Sequence, residues 1–164
     1  MKKIRQNSFT IVEAVMAMLV VSILLVASMR ATGAAARMQY KTAERINGRM
    51  LADGLMNDIL PLAYEDPALP VMFGVESNES AASKINWDDV DDFNGWSESP
   101  PQNRDGTVMP NLTSWRRTVA IDRVNPLTPT QVMASETGAK RITVNVYHNS
   151  VLVATRVAIR TKAP

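Results

Sequence analysis

The chain has 164 residues, room for one anchor helix and one modest domain, and no cysteine, which excludes a disulfide framework and a thiolate metal site. Its formal charge of +2 comes from 18 basic and 16 acidic residues, but Lys2, Lys3 and Arg5 all fall in the first eight positions. Without them the balance is slightly negative, so overall basicity carries no argument for a nucleic-acid partner.

Residues 1–8 read as a short basic leader ending in the polar Gln6-Asn7-Ser8, and residues 9–29 follow as an apolar run with one carboxylate, Glu13, near its start. A helix needs roughly 20 such residues to cross the hydrocarbon of a bilayer. An ordinary secretory signal is cut after its apolar run, whereas here the polar junction precedes it. The natural cut is therefore between Ser8 and Phe9, which leaves the whole apolar helix on the mature chain with Glu13 as its fifth residue. A carboxylate inside a bilayer costs on the order of 2.5–3.5 kcal/mol and calls for a partner. Nothing basic lies within the segment to supply one.

Leader, Phe9-Thr10-Ile11-Val12-Glu13 and apolar run together resemble the class III signal of type IV prepilins and type II secretion pseudopilins. The resemblance implies cleavage before Phe9 by a membrane prepilin peptidase that also methylates the new terminus. It further implies a Glu13 that pairs with the terminal amine of a neighbouring subunit, and assembly with other pilins on an inner-membrane platform. The family's usual Gly before the cut is Ser8 here, and its helix-kinking proline is absent, with Arg30 near that place. The lack of that kink is commoner among minor components of such filaments.

Residues 30–60 continue the helix, with Met38, Ile46, Met50, Leu51, Leu55, Ile59 and Leu60 as an apolar stripe at helical spacing. One helix over 9–60 would be about 78 Å long at 1.5 Å per residue. Pro61 ends it. Gly33, Gly48 and Gly54 each cost about 1 kcal/mol relative to Ala in a helix interior.

From 61 to 110 the periodicity disappears into a proline-punctuated acidic connection, with a short helix expected around 80–85. Within it, Asp88, Asp89, Asp91 and Asp92 lie between Trp87 and the Phe93-Asn94-Gly95-Trp96 run. These four carboxylates could offer oxygen ligands to calcium, although the spacing is not that of an EF-hand. The alternative is a solvated acidic turn pinned by buried Trp87, Phe93 and Trp96. The run 89–96, Arg104-Asp105-Gly106, Trp115-Arg116-Arg117 and residues 140–146 are also similar to minor pilins of the mannose-sensitive hemagglutinin type. With the leader and the helix, the resemblance spans most of the chain.

Residues 111–164 read as antiparallel strands. Positions 115–124 alternate, with Val119 and Ile121 on one face, as do Ile142, Val144 and Val146. His148-Asn149-Ser150 marks a hairpin, after which Val151, Val153, Thr155, Val157 and Ile159 would share a face. Asn125 to Pro129 reads as a turn and 131–134 as a further short strand. The expected fold is α+β: a long N-terminal helix, transmembrane over 9–29 and amphipathic over 30–60, packed on a small antiparallel sheet of three or four strands in a head domain of 30–164. This is the pilin fold that the resemblance implies.

No catalytic constellation accompanies the serines, and His148, the only histidine, reads as an exposed turn residue. Trp115, Arg116 and Arg117 could stack on a single strand and bind phosphate, but a near-neutral mature chain disfavours nucleic acid. Three functions stay open: a minor structural subunit of a type IV pilus, a minor pseudopilin of a type II secretion system, and a membrane-anchored adhesin or DNA receptor that does not polymerise. The first two imply a single pass through the inner membrane with a periplasmic head, then transfer to a surface pilus or a periplasmic pseudopilus. Glu13 is costly and purposeless in the third reading and needed in the other two.

Overall fold

The computed structural model describes residues 10–67, 72–76 and 79–162. The leader and the Ser8/Phe9 junction lie outside them. The chain divides into two units, Met1–Thr42 and Ala43–Pro164, and one helix, α1 (Ile11–Ile59), contributes to both.

In the first unit α1 carries the apolar run. Its most apolar stretch has a mean hydropathy of 2.5 and no buried residue, so the helix is long and apolar enough to cross a membrane. Its few hydroxyls are satisfied within the helix: Ser22 and Thr32 donate to the carbonyls of Met18 and Ser28, four residues back, at 2.7 and 3.0 Å. Glu13, in contrast to the sequence expectation, has a partner in its own segment. Thr10 N and Oγ1 both approach its Oε2 at 3.3 Å, and Glu13 N donates to Thr10 Oγ1 at 3.3 Å. That is a reciprocal capping box, Thr at the N-cap and Glu three residues on, which satisfies amides that the first turn otherwise leaves free.

The second unit packs the remainder of α1 on an antiparallel sheet. Its strands are β1 (Ser97–Glu98), β2 (Trp115–Asn125), β3 (Thr128–Val132), β4 (Ala139–His148) and β5 (Val151–Thr161). The order is β1-β2-β4-β5, with β3 paired to the end of β2. Five strands form, one more than expected, because β1 is only two residues long and carries no alternation to read. Asn149 and Ser150 both take positive φ, +48° and +66°, the two-residue turn that the hairpin expectation requires.

The two expected packing faces hold only in part: of the stripe on α1, Leu55 and Ile59 are buried and Leu51 and Leu60 pack against the core. The residues of α1 buried on the sheet are Gly48, Ala52, Leu55, Met56 and Ile59, while Met38, Ile46 and Met50 are exposed. Small residues define the contact because the sheet comes close: a Cβ at Gly48 would stand 2.8 Å from Val153 Cγ2 and 3.3 Å from Ala154 Cβ. On β5, a register shift at Val146/Tyr147 pairs Val146 with Ala154 and Tyr147 with Leu152, leaving Val153 extra. Side-chain parity inverts there. Arg156 and Ala158 pair with the buried Val144 and Ile142, and Val157 and Ile159 turn outward, 57% and 41% exposed. The core is thus Leu55 and Ile59 of α1, Val119 and Ile121 of β2, the buried valines of β4, and Trp87, Val90 and Phe93 from the connection.

Candidate metal centre

The described residues of the connection after α1 bury aromatics and charges together. The Trp87 ring meets Phe93 edge-on at 4.7 Å and Trp96 at 5.0 Å. A single 3-10 turn, Asp91–Phe93, follows; the helix expected around 80–85 is a pair of turns instead. The acidic run is not a solvated turn: Asp89, Asp91 and Asp92 are each 1% exposed, and only Asp88 faces solvent.

The four aspartates separate into two roles. Asp91 turns toward β4, where its carboxylate pairs with buried Lys140; that ammonium also donates to the Tyr64 carbonyl and lies 4.4 Å from the Tyr64 ring centre. Asp88, Asp89 and Asp92 turn the other way and meet two glutamates. Carboxylate oxygens of Glu76, Asp89 and Asp92 lie within 4.8 Å of one another, as do those of Glu79, Asp88 and Asp92. Asp92 belongs to both sets.

The backbone fixes how these acids point. Asp92 Oδ2 accepts from the Asp88 and Asp89 amides, both at 3.1 Å, and Asp89 Oδ1 accepts from the Asp91 and Asp92 amides at 2.7 and 3.2 Å. Each carboxylate spends one oxygen on the turn. Of the other oxygens, Asp89 Oδ2 is buried without a hydrogen-bond partner among the described residues, whereas the Glu79 carboxyl shares hydrogen bonds with Asp92 and Glu76. Burial first, and then the charges of Asp91 and Asp92, push the Asp89 carboxyl up to about 8. Burial and contact with Asp92 and Glu76 push Glu79 up to about 8, and burial raises Glu76 and Asp88 as well.

Chemically, the cluster is a set of hard oxygen donors, suited to a cation such as calcium or magnesium. Sequence spacing located three of its five members and included Asp91, which the fold assigns to Lys140. It missed Glu76 and Glu79, which precede the run in the same irregular connection and reach the turn through the path of that loop rather than by any spacing rule.

The other candidate residues fall as follows. Trp115, Arg116 and Arg117 do not share a surface, because adjacent strand residues face opposite ways. Arg117 is fully buried, paired with Glu98, and donates to the carbonyls of Leu51 and Gln102 at 3.2 and 2.5 Å. Trp115 is buried and stacks on the His148 ring at 4.4 Å, and Arg116, on the exposed face, covers Tyr147 at 4.5 Å. The stacking platform for a nucleic acid is therefore not assembled by these three. His148 is half-buried rather than an exposed turn residue: its Nδ1 lies 2.5 Å from a Glu44 carboxylate oxygen and its Nε2 3.0 Å from Ser114 Oγ. Compared with protein-family models, with curated proteins and with solved structures, the chain finds no match.

Proposed function

We infer that the chain is a minor structural subunit of a type IV pilus: a single-pass inner-membrane protein, cut before Phe9 by the prepilin peptidase and joined to other pilins through its apolar helix. The observation that carries the reading is the apolar first part of α1, exposed along its length and opened by an acid in its first turn. A surface of that size and hydropathy requires lipid or other helices around it. Met38, Ile46 and Met50, left exposed on the same helix, extend the apolar surface open to neighbouring subunits. The single sheet covered on one face by the later part of α1 supports the head expected of such a subunit.

Glu13 is where the reading is tested, and the capping box sharpens the test. Gln also serves at the third position of a capping box, so Glu13→Gln keeps the helix start and removes only the charge. In the native host, Glu13→Gln is expected to be inserted and cleaved normally but to fall at least roughly tenfold in sheared surface filaments, the equivalent of about 1.4 kcal/mol. Amino-terminal sequencing of the wild-type filament fraction should begin at methylated Phe9. Normal incorporation of Glu13→Gln would remove the charge-pairing role, and a chain that still begins at Met1 would overturn the pilus assignment.

A further inference from the structure

We propose that Glu76, Asp89 and Asp92, with Glu79 and Asp88 on the solvent side, form a calcium site that fastens the connection after α1 to the turn at Asp91–Phe93. The proposal concerns the second unit alone and does not rest on the pilus reading.

Two independent observations support it. One is the convergence of five carboxylates from two separated stretches, in two overlapping sets within 4.8 Å that share Asp92. The other is that Asp89, 1% exposed, keeps Oδ2 free of any hydrogen bond among the described residues, while the Asp91 and Asp92 amides hold its Oδ1. Buried carboxylate oxygens are ordinarily satisfied, and an unpaired one costs the full desolvation of the group. Lys140, the buried cation next in reach, is already engaged by Asp91 and Tyr64.

The donor set selects the ion. Among the described residues the converging acids are joined by no imidazole or thiolate, which disfavours zinc and copper. Magnesium demands near-ideal octahedral geometry and keeps several waters on one or two carboxylates, whereas calcium accepts six to eight oxygens from flexible, multidentate acids. Five carboxylates on irregular backbone, two of them near solvent, fit the larger ion. Asp92 would bridge the inner and outer ligands, and Glu76 would bring the far part of the loop to it.

The test uses the full chain in detergent micelles, stripped with EDTA and titrated with Ca²⁺, Mg²⁺ and Tb³⁺. One Ca²⁺ per chain should bind and raise the unfolding midpoint by on the order of 5–10 °C at a hundredfold excess over its dissociation constant. Tb³⁺ should emit on tryptophan excitation, because Trp87 adjoins Asp88, and Ca²⁺ should quench that emission by displacement. Asp89→Asn should abolish the Ca²⁺-dependent shift, whereas Asp91→Asn should retain it on a lower baseline. Asp88→Asn, at an exposed position that folding does not need, should weaken Ca²⁺ at least severalfold. The absence of saturable one-to-one Ca²⁺ binding would overturn the site. So would a shift that survives both Asp89→Asn and Asp88→Asn. Mg²⁺ binding as tightly as Ca²⁺ would overturn the choice of ion.

Discussion

Two regions of the connection between α1 and the sheet bury carboxylates, and they treat them in opposite ways. Around Glu98, one acid sits between two cations: its oxygens accept from Lys84 at 3.0 Å, from the Trp96 ring at 3.2 Å and from Arg117. The spare hydrogens of those cations go to backbone carbonyls, Lys84 to Gln102 at 2.8 Å and Arg117 to Gln102 and Leu51. Around Asp92, five acids gather and none of the five has a cation in an ion pair among the described residues. The first arrangement is complete within the chain and staples loop, strand and helix. The second gathers acids with no counter-charge among the described residues, which is why it and not the first reads as a candidate site.

The largest effect expected is at the centre of the completed network. Glu98→Ala leaves Lys84 and Arg117 buried together without a counter-charge, and breaking a buried pair in this way costs about 3–5 kcal/mol. Urea unfolding of the full chain in micelles should show a lowered midpoint at unchanged slope. Arg117→Ala should cost less, because Lys84 still neutralises Glu98. A larger loss in Arg117→Ala than in Glu98→Ala would mean that the carbonyl bonds, not the charges, hold the region.

A sharper form of the comparison uses two aspartates two positions apart. Asp91→Asn strips buried Lys140 of its counter-ion and should destabilise by about 3 kcal/mol. Asp89→Asn in EDTA should do the reverse and stabilise by roughly 1 kcal/mol: the Asn oxygen still accepts from the Asp91 and Asp92 amides, while a carboxyl that burial and the neighbouring acids make costly to ionise is replaced by a neutral amide. Equal losses in both variants would show that the two clusters are energetically alike and would dissolve the distinction drawn here.

How much of this could be read from the sequence follows from the range of the interactions. The apolar run, the helix stop near Pro61, the alternation of β2 and β4 and the Asn149-Ser150 hairpin are set by neighbours in the chain, and each was legible. The face of β5 was not, because one extra residue opposite Tyr147 inverts every side chain beyond it and nothing local announces a bulge. The buried stripe of α1 was legible at Leu55 and Ile59 but not before them: size and hydropathy favour Met38, Ile46 and Met50, whereas close approach of the sheet selects Gly48 and Ala52. At the candidate site, the clustered aspartates were visible as a run. Which of them finds Lys140 depends on a contact 49 residues away, and which the glutamates on the path of an irregular loop with no periodicity.

The glycines of α1 extend the contrast to packing. Gly48→Val puts branched carbon where a Cβ alone would already stand 2.8 Å from Val153, and overpacking of that kind costs about 1–3 kcal/mol. Gly54 has nothing within 4 Å of its would-be Cβ, so Gly54→Ala should gain roughly 0.5–1 kcal/mol from helix propensity. Thermal midpoints of the two variants should move in opposite directions. A neutral Gly48→Val would mean that β5 can retreat from the helix.

The smallest effect belongs to an ion pair that resembles the buried ones in chemistry and differs in setting. Arg156 makes a two-pronged contact to Asp53 of α1, through its Nε to one oxygen and its terminal nitrogen to the other at 3.1 Å, but both side chains are about half exposed. Water already solvates both partners, so neither is stranded when the other is removed. Arg156→Ala should leave the unfolding midpoint nearly unchanged, and any change should shrink in high salt. The same bidentate geometry would matter several times more in the interior, where Glu98 sits. A loss as large as that of Glu98→Ala would therefore show that the pair is shielded from water far more than its exposure in the folded chain implies.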